Sequence, residues 1–359
     1  MRTKTEIVIL NWNGAGHLRR FLPSVLASVP EGVGVVVADN GSTDDSLAAL
    51  AAGFPSVTVL RMDRNYGFAG GYNRALEHIE ADYYLLLNSD VETPEGWLAP
   101  ILDCLDRNPD VAVAAPKLIS CADRTEVEYA GAAGGFIDYL GYPFCRGRIL
   151  RCVEKDRGQY DDERDVFWVS GAAFCCRADV FRALGGFDGD FFAHMEEIDL
   201  CWRMQLAGYR VRIEPRSRVY HLGGGSLAQG SPSKVFYNHR NNLAMLYKCA
   251  SPVPRSYRAS GARLVRGAVV PDAGASGLRA GRGTCVAGFS AGAQGAGRQA
   301  AGCSRCGEGE APGHILRVDR SALFIRSQTV RQVAVKGRRF ECDRCLMCRC
   351  SDGGDLSWR

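Results

Sequence analysis

The stretch Tyr83-Tyr84-Leu85-Leu86-Leu87-Asn88-Ser89-Asp90-Val91 constrains this chain more than any other. Five apolar or aromatic residues in succession fit a strand buried on both faces, the environment found in the middle of a parallel sheet. The run stops at Asn88-Ser89-Asp90. That puts a carboxylate at the carboxyl end of a central strand, where open α/β sheets bind ligands. Capping the next helix is the alternative role for Asp90. Thr93-Pro94-Glu95 already offers a cap and a first-turn proline, which leaves Asp90 spare. A spare hard oxygen suits Mg2+ or Mn2+, ions that share one or two carboxylates with substrate phosphates.

The rest of the first 115 residues alternates in the same style. Glu6–Leu10, Val33–Ala38, Val57–Leu60 and Val111–Ala115 read as strands, and apolar positions such as Leu18, Leu22, Val25 and Leu26 mark a helix between them. This is the βαβ pattern of a mostly parallel sheet flanked by helices. Gly14-Ala15-Gly16 after the first strand and Asp39 after the second invite a dinucleotide reading, but the third glycine position holds Arg19, too large for close helix–strand packing. Asp39 stays open to two readings, an acceptor for a base or ribose and a turn-forming residue. The loop Asn65–Asn73 contains Gly67, Gly70 and Gly71. Glycines at a helix start permit close backbone approach and offer N–H groups to anions.

Two later stretches carry chemistry. Phe167–Phe174 reads as a strand that loses its bulk at Ser170-Gly171, where a ligand could approach. Phe191-Phe192-Ala193-His194-Met195-Glu196-Glu197-Ile198-Asp199 leads into a helix with an expected buried stripe of Ile198, Trp202 and Leu206. Three carboxylates in its first turn suit the helix dipole. Crowded behind an apolar entrance, they would also shift one another's proton affinity, as a general base requires. Tyr209–Ile213 reads as a strand, with Val219-Tyr220-His221 after it. His221 precedes the glycine run 223–225 and stands equally as a structural or a ligand histidine. The helix Val235–Lys248 carries Arg240, Asn241 and Asn242, basic and polar enough to meet a phosphate.

Met1-Arg2-Thr3-Lys4 leads straight into a strand, so no signal peptide is expected, and no run approaches the ~18–20 apolar residues of a membrane span. The expected location is the cytoplasm, with most of the 15 Cys reduced. The net charge of +4 divides unevenly. Residues 1–249 hold 26 Lys+Arg against 32 Asp+Glu, and residues 250–359 hold 18 against 8. A domain at 1–249 and a differently built tail at 250–359 follow from that break.

Taken together, Ile7–Gly14, Val37–Asp44, Asn65–Asn73, Leu87–Val91, Ser170–Ala172, Gly186–Asp188, Glu196–Arg203 and His221 with Gly225-Ser226 resemble glycosyltransferase family 2, from about Glu6 to Lys248. The resemblance is closest to its rhamnosyltransferase-like bacterial branch, whose members build surface polysaccharides. It implies a GT-A-type, Rossmann-like sheet and an inverting, metal-dependent transfer of a sugar from a nucleoside-diphosphate donor. The acceptor would be a hydroxyl of a glycan or lipid-linked molecule, not a nucleic acid, met at the inner face of the cell membrane by peripheral association. It further implies that Asn11, Asp39, the Asn65–Asn73 loop (Asn65, Gly67, Gly70, Gly71, Asn73), Asn88 and Gly171 hold the nucleotide-sugar. Asn88 and Asp90 would form the D-x-D-type metal motif, with Asp90 carrying the Mg or Mn and His221 helping. The family's Glu-Asp dyad falls on Glu196-Glu197, which makes Glu197 the candidate base, with Glu196 or Asp199 as substitutes. A nucleotidyltransferase and a nucleotide-sugar-binding protein inactivated by a lost C-terminus are the alternatives. The first of these should carry a basic Gly-rich loop after the first strand, and Asn11-Trp12-Asn13-Gly14 is not one.

Residues 251–313 contain no Ile, two Leu, one Phe and one Tyr beside 14 Gly, 13 Ala and 8 Arg, a composition that cannot bury a core. Three readings remain for the tail: an out-of-frame translation of GC-rich DNA, a disordered basic segment, and a zinc module on Cys342, Cys345, Cys348 and Cys350. Translation of the other frames after codon 249 separates the first from the rest.

Overall fold

A computed structural model describes residues 4–138, 140–149, 152–223 and 231–250. The chain opens with β1 (Thr5–Asn11), α1 (Ala15–Ser28), β2 (Gly34–Asp39), α2 (Ser46–Gly53), β3 (Thr58–Arg61), α3 (Gly67–Leu76) and β4 (Tyr83–Asn88). A two-residue β5 (Val91–Glu92), α4 (Leu98–Arg107) and the long β6 (Val111–Ser120) follow. Short strands come next: β7 (Gly135–Ile137), β8 (Pro143–Cys145), β9 (Arg148–Ile149), β10 (Cys152–Val153) and β11 (Arg164–Asp165). The last part holds β12 (Ala173–Arg177), α5 (Ala178–Ala183), α6 (Glu196–Leu206), β13 (Arg210–His221) and α7 (Pro232–Cys249).

Among the described residues, nine strands make one mixed sheet in the order β11-β13-β6-β12-β4-β1-β2-β3, with β5 paired to β13. β3, β2, β1 and β4 run parallel, as the βαβ alternation predicts. β12 then enters antiparallel between β4 and β6, a neighbour the alternation does not foretell. Beyond it β6 and β13 run parallel to each other. β13 is one strand where the sequence suggests two pieces, because the ladder shifts register between Glu214 and Arg218. Pro215 sits in that break, at a position where a missing N–H is tolerated.

The central strand is buried on both faces. Tyr84 and Leu86 pack with Val8, Tyr72, Phe181 and Trp202 on one side. Leu85 and Leu87 pack with Ile7, Ile9, Leu22 and Ile101 on the other. A strand whose alternate residues enter two separate cores must be apolar throughout, which is why Tyr83–Leu87 shows no polar alternation. α6 buries Ile198 and Trp202 as its spacing predicts, but Leu206 is 60% exposed, because the helix ends there. α4 begins at Leu98 without a side-chain cap; Thr93 bonds the Ser28 hydroxyl instead. β5 separates Asp90 from that helix, so Asp90 does not cap it.

β7 to β10 form a small antiparallel sheet. The nearby loop is tied to β6 by buried Lys117, whose ammonium bonds Asp156 and Asp161. No helix among the described residues is long and apolar enough to cross a membrane. The tail readings, the Cys342–Cys350 cluster and Gly225-Ser226 lie outside the described residues.

Candidate functional site

The turn Asn88–Asp90 leaves the carboxyl end of β4 and meets the end of β13. His221 pairs with Val91 across β5, and Leu222 N donates to Asp90 O at 3.0 Å. This brings His221 Nε2 to 3.2 Å from Asp90 Oδ1 and 3.4 Å from Asn88 Nδ2. The other ring nitrogen, Nδ1, faces Glu128 Oε1 at 3.4 Å. Asp90, His221 and Glu128 are all buried. Burial alone would push the Asp90 carboxyl up, but the His221 hydrogen bond and charge, with His17 nearby, hold it below the usual carboxylate range. Burial would push the His221 imidazole down, yet the hydrogen bonds to Asp90 and Glu128 push it up to about 10.

A divalent ion would have to displace the proton of His221, after which Asp90 and His221 could both serve it. Two octahedral ligands at about 2.1 Å from Mg2+ lie roughly 3 Å apart, close to the Asp90–His221 separation. A carboxylate on the far nitrogen of a ligand histidine is the usual orienting partner, and Glu128 stands there. Among the described residues, the trio whose ligand atoms all lie within 4.8 Å of one another is Cys104, Glu163 and Glu214. Its acids are already matched by Arg212 and Arg216.

The carboxylates of α6 approach the same strand end from the other core. Ala172 O accepts from Asn88 N at 2.9 Å. One residue earlier, a Cβ on Gly171 would stand 3.8 Å from Glu197 Cβ and 3.1 Å from Phe68 Cζ. A Cβ there would make ordinary van der Waals contact with Glu197 and press only on the far edge of the Phe68 ring, so Gly171 lies directly against the helix that carries Glu197. Burial pushes the Glu197 carboxyl up to about 7. Burial, then the charge of Glu197, raises Glu196 well above the ordinary value. Each leaves its Oε2 without a hydrogen-bond partner among the described residues. Asp199 differs. It is buried in an ion pair with Arg203 at 2.8 Å and Lys248 at 2.7 Å, and so joins α6 to α7.

On the β1–β2 side, buried Asn11 donates to Asp39 Oδ2 at 3.1 Å and to Ser42 Oγ at 3.2 Å. Asp39 Oδ1 accepts from Ser42 N at 3.0 Å. Asp39 is 1% exposed, so it forms the turn, and a base contact would use only the lone pairs these bonds leave. Asn11 Oδ1 has no partner among the described residues.

The Asn65–Asn73 loop departs from its anion-binding expectation. Asn65 Oδ1 accepts from Gly67 N at 2.8 Å, and Phe192 O accepts from Phe68 N at 2.6 Å and Ala69 N at 3.3 Å. The N–H groups at the start of α3 are therefore engaged within the chain. Gly67 has φ +73°, and a Cβ there would meet Phe192 O at 2.5 Å. A Cβ on Gly71 would meet Leu10 and Asn40 at 2.9 Å, and one on Gly70 would lie 3.2 Å from Tyr66 Cβ. Asn73 lies about 9 Å further down the helix and brackets the backbone of Phe187 with both amide atoms. The loop is a joint between α3 and the segment before α6, and both amide atoms of Asn73 are spent on that joint.

Residues 6–164 match the family model Glycosyl transferase family 2. Over 256 residues the chain is 28% identical to the N-acetylglucosaminyl-diphospho-decaprenol L-rhamnosyltransferase of Mycobacterium tuberculosis, covering 67% of this chain and 83% of that protein. Residues 6–164 of the chain thus carry the sequence of glycosyltransferase family 2. It is also 30% identical over 240 residues to the pre-mycofactocin glycosyltransferase of the same organism, covering 64% of this chain but 45% of that one. Among solved structures, GalNAc-T7 with UDP, GalNAc and Mn2+ superposes with a TM-score of 0.57 at 16% identity. That match covers 79% of this chain and 54% of the other, and it shows the shared GT-A fold.

Two residues near the site carry no local signal in the sequence. Glu128 lies in a polar, Gly-rich stretch with no motif around it. Asn241 was legible only as part of a basic helix; in the fold, Arg240 and Asn241 bond backbone carbonyls, and Asn242 donates to Gly141 O. Those bonds take the place of the expected phosphate contact for Asn241 and Asn242.

Proposed function

We propose that this chain is a metal-dependent, inverting glycosyltransferase that moves a sugar from a nucleoside-diphosphate donor to a hydroxyl of a lipid-linked or surface-glycan acceptor. Rhamnose as the sugar, and a polyprenyl-diphosphate-linked sugar as the acceptor, follow from the mycobacterial relative. What carries the reading is the junction at Asn88–Ala172: it sets Gly171 and Glu197 beside the strand end that bears Asp90.

Glu197 is the base. With its carboxyl raised to about 7 it is substantially ionised at neutral pH, yet basic enough to accept a proton. It takes the proton of the acceptor hydroxyl as that oxygen attacks the anomeric carbon, and the bond to the diphosphate breaks on the opposite face. Asp90 and His221 would hold the ion and Glu128 would fix the ring of His221. A divalent ion there would neutralise charge on the diphosphate leaving group. Asn88 and Gly171 border the sugar, and Asn11 Oδ1 is a free acceptor toward the nucleoside.

The test is a panel of nucleoside-diphosphate sugars, with and without Mg2+ or Mn2+, read by thermal shift and by release of nucleoside diphosphate. One donor should stabilise the protein in the presence of metal, and the product should carry the opposite anomeric configuration. No stabilisation by any donor would overturn the reading, and retention of configuration would remove the single displacement.

A further inference from the structure

We infer that Asn241 is a positioning residue that holds the base-bearing end of α6 in place by clamping the segment before it. The segment 190–195 is strained. Phe192, His194 and Met195 have φ of 61°, 71° and 75°, and none is glycine. A positive φ strains a residue with a Cβ, so such a run persists only where its surroundings impose it.

Its carbonyls show what imposes it. Asn241 Nδ2 donates to Phe191 O at 2.9 Å, Ala193 O at 2.9 Å and His194 O at 2.7 Å. Arg240 Nη2 adds Asp190 O and Phe191 O. Phe192 O, pointing the other way, accepts from the start of α3. Every carbonyl from 190 to 194 is thus held by α7 or by α3. Asn241 is 0% exposed and its own Oδ1 accepts from Arg240 Nε at 2.8 Å, which fixes the amide so that its two protons face the segment. The next residues, Glu196 and Glu197, open α6 with Met195 as its N-cap. A slackened segment shifts the first turn of α6. Misplacing a catalytic group by about 1 Å can cost on the order of 100-fold in rate.

The inference rests on Glu197 being the base, and the experiment separates the two. Asn241→Ala removes the clamp. Asn241→Asp keeps the shape and the bond from Arg240 but cannot donate. Asn242→Ala is the control: it is a buried amide too, 6% exposed, on the same helix, but it bonds Gly141 O, away from the segment. Three quantities are measured on the full chain: kcat, donor KM, and hydrogen exchange of the peptide spanning 190–197. Both Asn241 variants should lose about ten- to a hundredfold in kcat with donor KM within about twofold, and residues 192–197 should exchange faster. Asn242→Ala should lower the melting temperature while leaving kcat and that exchange near wild type. Should Asn241→Ala and Asn241→Asp fail to fold, Asn241→Gln, with its donors one methylene displaced, carries the same test.

Wild-type kcat and exchange in a folded Asn241 variant would overturn the inference, as would an equal loss of kcat in Asn242→Ala. Glu197→Gln run alongside tells the readings apart. An active Glu197→Gln with a loosened, slow Asn241→Ala refutes the base and keeps the clamp, and the reverse pattern refutes the clamp alone.

Discussion

Two adjacent glutamates carry the same functional group and differ only in what surrounds them. Successive helical residues point about 100° apart, so Glu196 and Glu197 cannot both face an acceptor. Glu197 is the one beside Gly171. Glu197→Gln should cut turnover by about 10²–10⁴ with donor affinity retained, and Glu196→Gln is its comparison. A dead Glu196→Gln with a working Glu197→Gln would exchange their roles. Because the Glu197 carboxyl is raised to about 7, kcat should climb with pH through about 7 and level off above it. The same shift bears on stability, and its sign is the opposite of the usual carboxylate case. The folded chain holds an extra proton between the unfolded value, about 4.3, and about 7, so this contribution is lost as pH rises through that window. The fall in melting temperature from pH 5 to pH 8 should be smaller in Glu197→Gln than in the parent chain. At the other end of the site, Asp90→Ala should nearly abolish metal-stimulated turnover while the far-ultraviolet circular dichroism stays unchanged. Retained metal-dependent turnover in that variant would remove Asp90 from the metal site.

α3 and the segment it grips show how one element can be legible in position and opaque in purpose. The glycines at its start suggest a cradle for phosphate, but the partner that claims its N–H groups, Phe192 O, belongs to a stretch far along the chain. No local pattern reports a backbone carbonyl that arrives from elsewhere. Gly67→Ala probes the joint: it needs φ +73° and drives a Cβ into Phe192 O at 2.5 Å. Strain and clash together should cost about 2 kcal/mol or more, read as a lower urea midpoint at unchanged slope. The strands show the same division. β1, β2 and β4 were readable because burial on two faces leaves a solid apolar run. The direction of β12 was not, because direction follows from how the chain returns to the sheet and not from composition. Asp90 and Glu197 stood out as carboxylates at element boundaries. Glu128 did not, since only the fold brings it to the far nitrogen of His221.

For the whole molecule, the described chain closes on itself at the end of α7. Met245 and Cys249 are buried in the core. Lys248 bonds Asp188 and Asp199, and Ala250 N ends the helix on Leu246 O. The basic stretch that follows brings two Leu, one Phe and one Tyr over residues 251–313. A fully buried Leu, Phe or Val contributes about 1.5–3 kcal/mol, so even these four residues with the five Val of the same stretch would not match the entropy of ordering it, about 1–2 kcal/mol per residue. We therefore expect truncation after Ala250 to leave the melting temperature within about 2 °C of the full chain. A cut ten residues earlier, after Arg240, should behave differently: it removes Asn241, Met245, Lys248 and Cys249, and with them the clamp on 191–194 and both ion pairs of Lys248. That shorter chain should unfold at a markedly lower temperature or fail to accumulate. Differential scanning calorimetry on the three lengths decides the matter. A drop of many degrees on removing only residues 251–359 would show that the tail packs on the domain after all.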